Sequence, residues 1–244
     1  MAEVNIHSFV VETTRRCNMR CAHCLRGNPQ NRSMPYEVLK NSLRHVGYIS
    51  CVTFTGGEPS LPSGVRVLDY FTEIVRNWGI RVGSFYIVTN GKRYNREFID
   101  SVRSLYYLCE DNEISGVEFS TDPYHESQNS RLYWELEEIS ELEIPGLHFG
   151  RKKHYEEGLI LEGRCNWGYR ELSIPELTYR LEDPEADESD LYVDEPALYL
   201  NCKGNVILGC DWSYSSQDDP SRILCRYDEL TPELIMRRGK NEDE

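Results

Sequence analysis

The sequence predicts an α/β fold: a partial (β/α)6 TIM-like barrel over residues 1–150, with a small C-terminal β-hairpin and helix extension over 151–244. Three observations predict it. Short β-rich apolar runs alternate with stretches of helical period through the first 150 residues, which argues for parallel strands joined by right-handed crossovers. The repeating units are fewer than the eight of a closed barrel, so about six strands are expected. Beyond Lys152 the alternation fades, and two strands separated by a glycine turn follow.

Ser8 to Val11 is apolar and reads as the first strand. Ser33 and Pro35 then open a helix in which Leu39, Leu43 and Val46 share a face and Gly47 closes it. Cys51 to Thr55 is the second strand. Val67, Leu68, Phe71, Ile74, Val75 and Trp78 recur at helical spacing up to Gly79. Phe85 to Val88 is a third strand, Phe98 to Tyr106 a third helix and Val117 to Phe119 a fourth strand. Leu132 to Leu142 gives a fourth helix, and Leu147 to Phe149 a fifth strand. Glu182 to Glu195, rich in Asp and Glu and containing Pro184, reads as a solvated loop. Ala197 to Asn201 and Asn205 to Leu208 form the hairpin across Lys203-Gly204, and Pro232 to Arg238 is a closing helix.

Bulk properties narrow the function classes. At 244 residues the chain is long enough for one well-buried domain. It has no apolar run approaching the roughly 20 residues of a membrane span, and Met1 to His7 lacks signal-peptide character. A soluble cytoplasmic protein is expected. The nine cysteines, an odd count, then argue for reduced thiols and metal rather than a disulfide framework. A net charge of −14 disfavours nucleic acid as a partner. Cys51 and Cys109 fall on expected core faces and read as buried free thiols.

Chemistry concentrates in Cys17-Asn18-Met19-Arg20-Cys21-Ala22-His23-Cys24. Three thiolates on one loop can hold a metal centre and leave a further position unfilled. A structural zinc site would want a fourth ligand, and only His23 lies nearby. Gly56 to Pro59, Thr89 to Gly91 and Ser120 to Asp122 each follow a strand. Each alone reads as a turn. In a parallel β/α sheet, however, all would meet the cysteine loop at the carboxyl rim.

The C-x3-C-x2-C spacing of Cys17, Cys21 and Cys24 resembles the signature of the radical S-adenosylmethionine (SAM) enzymes, and the resemblance extends over residues 5 to about 150. It implies that the three cysteines ligate three irons of a [4Fe-4S] cluster whose fourth iron chelates SAM. An electron from the cluster, delivered by a donor such as flavodoxin or ferredoxin, would then yield a 5'-deoxyadenosyl radical that abstracts hydrogen from a substrate. Gly56, Gly57, Glu58 and Pro59 match the family's Gly-Gly-Glu motif, whose backbone and carboxylate receive the methionine ammonium. Thr89, Asn90, Ser120 and Asp122 match strand-end groups for the SAM carboxylate or ribose, Asp122 being the better ribose candidate. Arg151 is a candidate partner of the SAM carboxylate. His23 replaces the aromatic residue that usually packs by the adenine.

Cys165, Cys202, Cys210 and Cys225 equal in number the ligands of a second iron-sulfur cluster or a zinc, and scattered buried thiols are the alternative. The Gly204 turn with Cys210 resembles the auxiliary-cluster extensions called SPASM or twitch domains, in reduced form, Cys210 lying one residue further from Gly204 than usual. Those relatives mostly modify peptides, so a peptide or protein substrate in natural-product peptide maturation is expected. With the first strand starting near residue 5, no N-terminal leader-recognition domain is expected. The alternatives are a glycyl-radical-enzyme activating enzyme, a small-molecule or nucleoside enzyme, and a zinc-binding interaction protein.

Overall fold

The computed structural model describes residues 2–121, 125, 129–152, 162–165, 173–183 and 189–242, and the backbone alone of 149–152. Its first half repeats one unit. Strands β1 (Val4–Thr14), β2 (Val46–Gly56), β3 (Arg81–Thr89), β4 (Gly116–Ser120) and β5 (His148–Lys152) alternate with helices α1 (Tyr36–Ser42), α2 (Pro62–Trp78), α3 (Arg96–Tyr106) and α4 (Ser130–Leu142). Neighbouring strands pair in parallel and in chain order.

Strand alternation decides which side each residue serves. Phe9, Val11, Val52, Phe54, Phe85, Ile87, Val117 and Phe119 face the helices and join Leu39, Leu68, Phe71, Phe98, Val102, Leu132 and Leu136 in one buried core. The helices start and stop where side-chain chemistry dictates. Asn95 and Asn129 cap α3 and α4 by accepting from the backbone N–H groups of Glu97 and Leu132. Gly79 ends α2 in the left-handed conformation at φ 70°, where a side chain would be strained. Trp78, assigned from its spacing to the apolar face, is instead 41% exposed at that helix end.

The second half builds on the other edge of β1. β6 (Thr178–Leu181), β7 (Leu191–Val193), β8 (Leu198–Leu200), β9 (Asn205–Leu208), β10 (Ile223–Arg226) and β11 (Lys240–Asn241) accompany the short helices α5 (Tyr214–Gln217) and α6 (Pro232–Arg238). β7 and β8 run parallel to the first and second halves of β1, and β9 and β10 continue antiparallel. The path is β10-β9-β8-β1-β2-β3-β4-β5, and among the described residues no pairing joins β10 to β5. The sixth position of the parallel sheet is thus filled by β7 and β8 in turn, ahead of β1 rather than beyond β5.

Two expectations need correction. Val46 and Gly47 belong to β2, not to the first helix, which ends at Ser42; Val46 pairs with Val4, and this partner outweighs its place in a helical period. The acidic stretch Glu182–Glu195 is not loop throughout. Leu191 to Val193 pairs with both β1 and β6, its two buried residues Leu191 and Val193 set among acidic neighbours that hid them. β6, β10 and β11 were not legible either, each being four residues or fewer.

Candidate functional site

The site begins where β1 and β2 end side by side. The Gly57 N–H donates to the Thr14 carbonyl at 2.6 Å and the Glu58 N–H to the Arg16 carbonyl at 2.9 Å, so the Gly-Gly-Glu turn is stitched to the chain entering the cysteine loop. This approach needs glycine. A Cβ on Gly57 would sit 2.1 Å from the Arg16 carbonyl oxygen, and Gly56 holds φ at 124°.

Glu58 is buried and serves as the hub. Its Oε1 accepts from the Ser60 N–H at 2.9 Å and the Thr89 hydroxyl at 2.5 Å, and its Oε2 from the Asn90 N–H at 2.8 Å. The carboxylate therefore ties the end of β2 to the end of β3. It keeps one acceptor position on Oε2. Asn90 carries the connection onward, its Nδ2 donating to Asn18 Oδ1 at 2.9 Å and to Cys17 Sγ at 3.8 Å. The Met19 N–H adds a second donor to Cys17 Sγ at 3.4 Å. Burial pushes the Cys17 thiol up to about 12, partly offset by that N–H. Without a metal it stays protonated at neutral pH; a bound metal would take it as thiolate.

These groups surround a cavity of about 310 Å³ whose lining brings together Cys17, Cys21, Cys24, His23, Gly56, Gly57, Glu58, Pro59, Asn90 and Ser120 of the residues singled out in the sequence. Thr89 stands behind the wall, buried against Glu58 rather than facing the cavity. Asp122 and the Arg151 side chain lie outside the described residues. Met19, Leu25, Thr55, Val88, His125 and Asp211 also line the cavity and were missed. Alternation from Thr53 and Tyr86 would have found Thr55 and Val88. His125, whose ring meets His23 edge-on at 5.3 Å, and Asp211, brought from the far end of the chain, left no local signal.

The four C-terminal cysteines do not gather. In the hairpin Leu198 faces Leu208 and Leu200 faces Val206, so Cys202, in the turn beyond β8, and Cys210, past the end of β9 where Gly209 turns at φ 78°, leave the ladder at opposite ends. Cys202 is buried at the end of β8, its thiol donating to the Glu12 carbonyl at 3.2 Å. Cys225 is buried in β10 opposite Val206. Cys165 is buried next to Arg164, whose N–H donates to the Cys24 carbonyl at 2.9 Å. The four-cysteine auxiliary site is therefore withdrawn. Their spacing in sequence carried no register, and the hairpin separates the pair that suggested it. Cys51, expected in the core, is half-buried on the opposite, concave face; Cys109 is buried as expected.

Charge adds to the β1–β7 and β1–β8 ladders in joining the two halves. Fully buried Arg15 donates from Nε to Glu12 at 2.7 Å and from its other nitrogens to Gln30, Gln217 and Asp218. Burial opposes its charge, and Glu12 and Asp218 more than restore it. Glu12 also accepts from the Tyr199 hydroxyl and the Cys202 N–H. Strand β1, the cysteine loop and the C-terminal segment share this one network.

The donor set fits an iron-sulfur cluster. Among the described residues no three His, Cys, Asp or Glu side chains converge on one metal-ion position. The three thiols of the loop line one cavity, a soft donor set of the kind an iron-sulfur cluster would take.

Residues 11–110 match the family model of the radical SAM superfamily. An uncharacterized protein of Methanocaldococcus jannaschii is 27% identical over 102 residues, 40% of this chain and 35% of that protein, so the match spans about a third of the relative's length. Native anSMEcpe with bound AdoMet and Cp18Cys peptide superposes with a TM-score of 0.53 at 12% identity, over 95% of this chain and 80% of that one. A histidine-tagged form of anSMEcpe with bound AdoMet does so with a TM-score of 0.53 at 13% identity, over 98% and 82%. At such identities the likeness is one of fold. No helix of the described residues is long and apolar enough to cross a membrane.

Proposed function

From the radical SAM domain that residues 11–110 carry, we propose that the protein cleaves SAM reductively and abstracts hydrogen from a peptide or protein. One observation carries the proposal: the three thiols of Cys17, Cys21 and Cys24 line the same cavity as the Gly56–Pro59 turn and Asn90. Cys17, Cys21 and Cys24 would hold a [4Fe-4S] cluster there, and its chemistry would be one-electron reduction of the SAM sulfonium.

The protein's own groups bind, orient and shield. The Met19 N–H and Asn90 Nδ2 point at the Cys17 sulfur and would favour its thiolate. The remaining acceptor position of Glu58 suits the methionine ammonium, and the three hydrogen bonds that immobilise this carboxylate fix where the ammonium sits. Met19, Leu25 and Val88 give the cavity apolar wall, which would limit access of thiols and dissolved oxygen to the reacting centre. The peptide class is supported by the fold shared with anSMEcpe, whose structure holds both AdoMet and a peptide.

The test is anaerobic reconstitution with iron and sulfide, followed by reduction with dithionite in the presence of SAM. Wild type should release 5'-deoxyadenosine and Cys24→Ala should release none. Cleavage persisting in Cys24→Ala, or absent from iron-loaded wild type, would overturn the assignment.

A further inference from the structure

Deeper on the concave face of the sheet lies a second polar set. Alternation puts Tyr86 on the same side as Val88 and Glu118 on the same side as Ser120, and Val88 and Ser120 line the cavity. Tyr86 and Glu118 therefore face the barrel interior two residues, roughly 7 Å, below it. Their neighbours Phe85, Ile87, Val117 and Phe119 take the helix side.

Register brings a third group to them. Tyr86 and His148 both stand level with Gly116, one on each flank. A Cβ on Gly116 would meet the His148 carbonyl oxygen at 3.0 Å and its Cβ at 3.2 Å, so the glycine leaves His148 room. Glu118, two residues further on, reaches both: its Oε2 accepts the Tyr86 hydroxyl, and its Oε1 lies 3.4 Å from His148 Nε2. The residue opposite Glu118 on β5 is Gly150, which adds no side chain to cover it.

What this set offers the interior is acceptor capacity. The phenol gives its proton to Glu118, the carboxylate has acceptor positions beyond the two contacts described, and a neutral imidazole with its N–H toward Glu118 presents Nδ1 as a lone pair. Glu118 stays 20% exposed and His148 59%, so an incoming group can reach them. Among the described residues no Lys or Arg pairs with Glu118. The complement of such a site is a group that only donates and carries positive charge: an ammonium with three N–H bonds or a guanidinium with five.

We infer that Tyr86, Glu118 and His148 form a cation-anchoring subsite that holds an ammonium or guanidinium of the substrate. The anchor keeps that group below the cavity while the neighbouring part of the substrate lies at the cavity floor by Val88 and Ser120. This inference rests on the peptide reading above and names the side-chain chemistry of the peptide.

Two random heptapeptide libraries, one containing Lys without Arg and the other Arg without Lys, should be selected against the full-length, cluster-loaded protein. Wild type should enrich the basic residue about tenfold at one position in one of them, and that library identifies the cation. Glu118→Gln, which preserves shape and removes charge, should abolish the enrichment; Tyr86→Phe should reduce it about threefold. Absence of basic enrichment in wild type, or equal enrichment in Glu118→Gln, overturns the anchor. Should Glu118→Gln lose iron or melt early, Tyr86→Phe decides in its place, and unchanged enrichment there overturns the anchor equally. SAM cleavage on the same wild-type preparation separates the two readings. Enrichment without cleavage keeps the anchor and refutes the SAM reading; cleavage without enrichment refutes the anchor alone.

Discussion

Cys17, Cys21 and Cys24 are half-buried and open onto a common cavity, whereas Cys202 and Cys225 are sealed into packing on the far side of β1. The chemistry differs accordingly. Cys17 receives hydrogen bonds at sulfur, the arrangement that favours a thiolate. Cys202 does the reverse and donates, while burial and the nearby Glu12 push its thiol far above the ordinary range. Burial likewise pushes Cys225 up to about 12. A metal displaces the thiol proton when it binds, and burial holds Cys17 as high as Cys225, so what separates the two sets is presentation at the cavity together with the donors aimed at the Cys17 sulfur. Number alone says nothing of this.

The contrast is broken most sharply by counting iron. Replacing Cys17, Cys21 and Cys24 together by Ala should remove all reconstituted iron, while Cys202→Ala with Cys225→Ala should leave the wild-type content untouched. Iron falling by half in the second variant would restore the auxiliary cluster and sink the distinction.

The next effect in size tests what binds the halves together. Glu12 is fully buried and accepts from Arg15, Tyr199 and the Cys202 N–H, so Glu12→Ala leaves a buried guanidinium short of its main counter-charge. Breaking one partner of a buried pair costs about 3–5 kcal/mol, which urea unfolding would read directly. A loss under about 1 kcal/mol, the value of an exposed pair such as Arg81–Glu110, would mean that the network is dispensable.

The same contrast explains what was legible in the sequence. The β/α repeat was, because apolar period and boundary residues such as Pro35 and Gly79 are local signals that agree with one another. So were the cysteine triad and the Gly56–Pro59 turn, whose residues are adjacent in the chain. The C-terminal half was obscure because its strands are short and its partners distant. Leu191 pairs with Val4 and Cys202 rests on Glu12, contacts that no window of sequence contains. The role of Glu58 was read only in part: its place in the motif was visible, but its grip on Thr89 and Asn90 depends on β2 and β3 being neighbours. Glu12 carried no signal either, since a charged residue at a strand end ordinarily reads as solvated.

The smallest effect concerns the outer end of that network, where Asp218 meets solvent. Burial raises its carboxyl, but hydrogen bonds from Lys203 at 2.6 Å and from Arg15 at 3.2 and 3.3 Å outweigh this and leave it below the usual range. With the folded-state value depressed, the unfolded chain takes the proton first as pH falls. The stabilisation is therefore complete above the unfolded carboxylate's range, near pH 4, and drains away as pH drops through the folded value. Asp218→Asn should lower stability at neutral pH by up to about 1 kcal/mol, given that the side chain is 25% exposed and screened. The gap between variant and wild type should then close on acidification below about pH 4. A gap constant from neutral to acid would mean that Asp218 acts through shape and not charge. The C-terminal segment would then be held to the cysteine loop by the Gln217 and Tyr199 contacts, with the Arg15–Glu12 pair complete in itself.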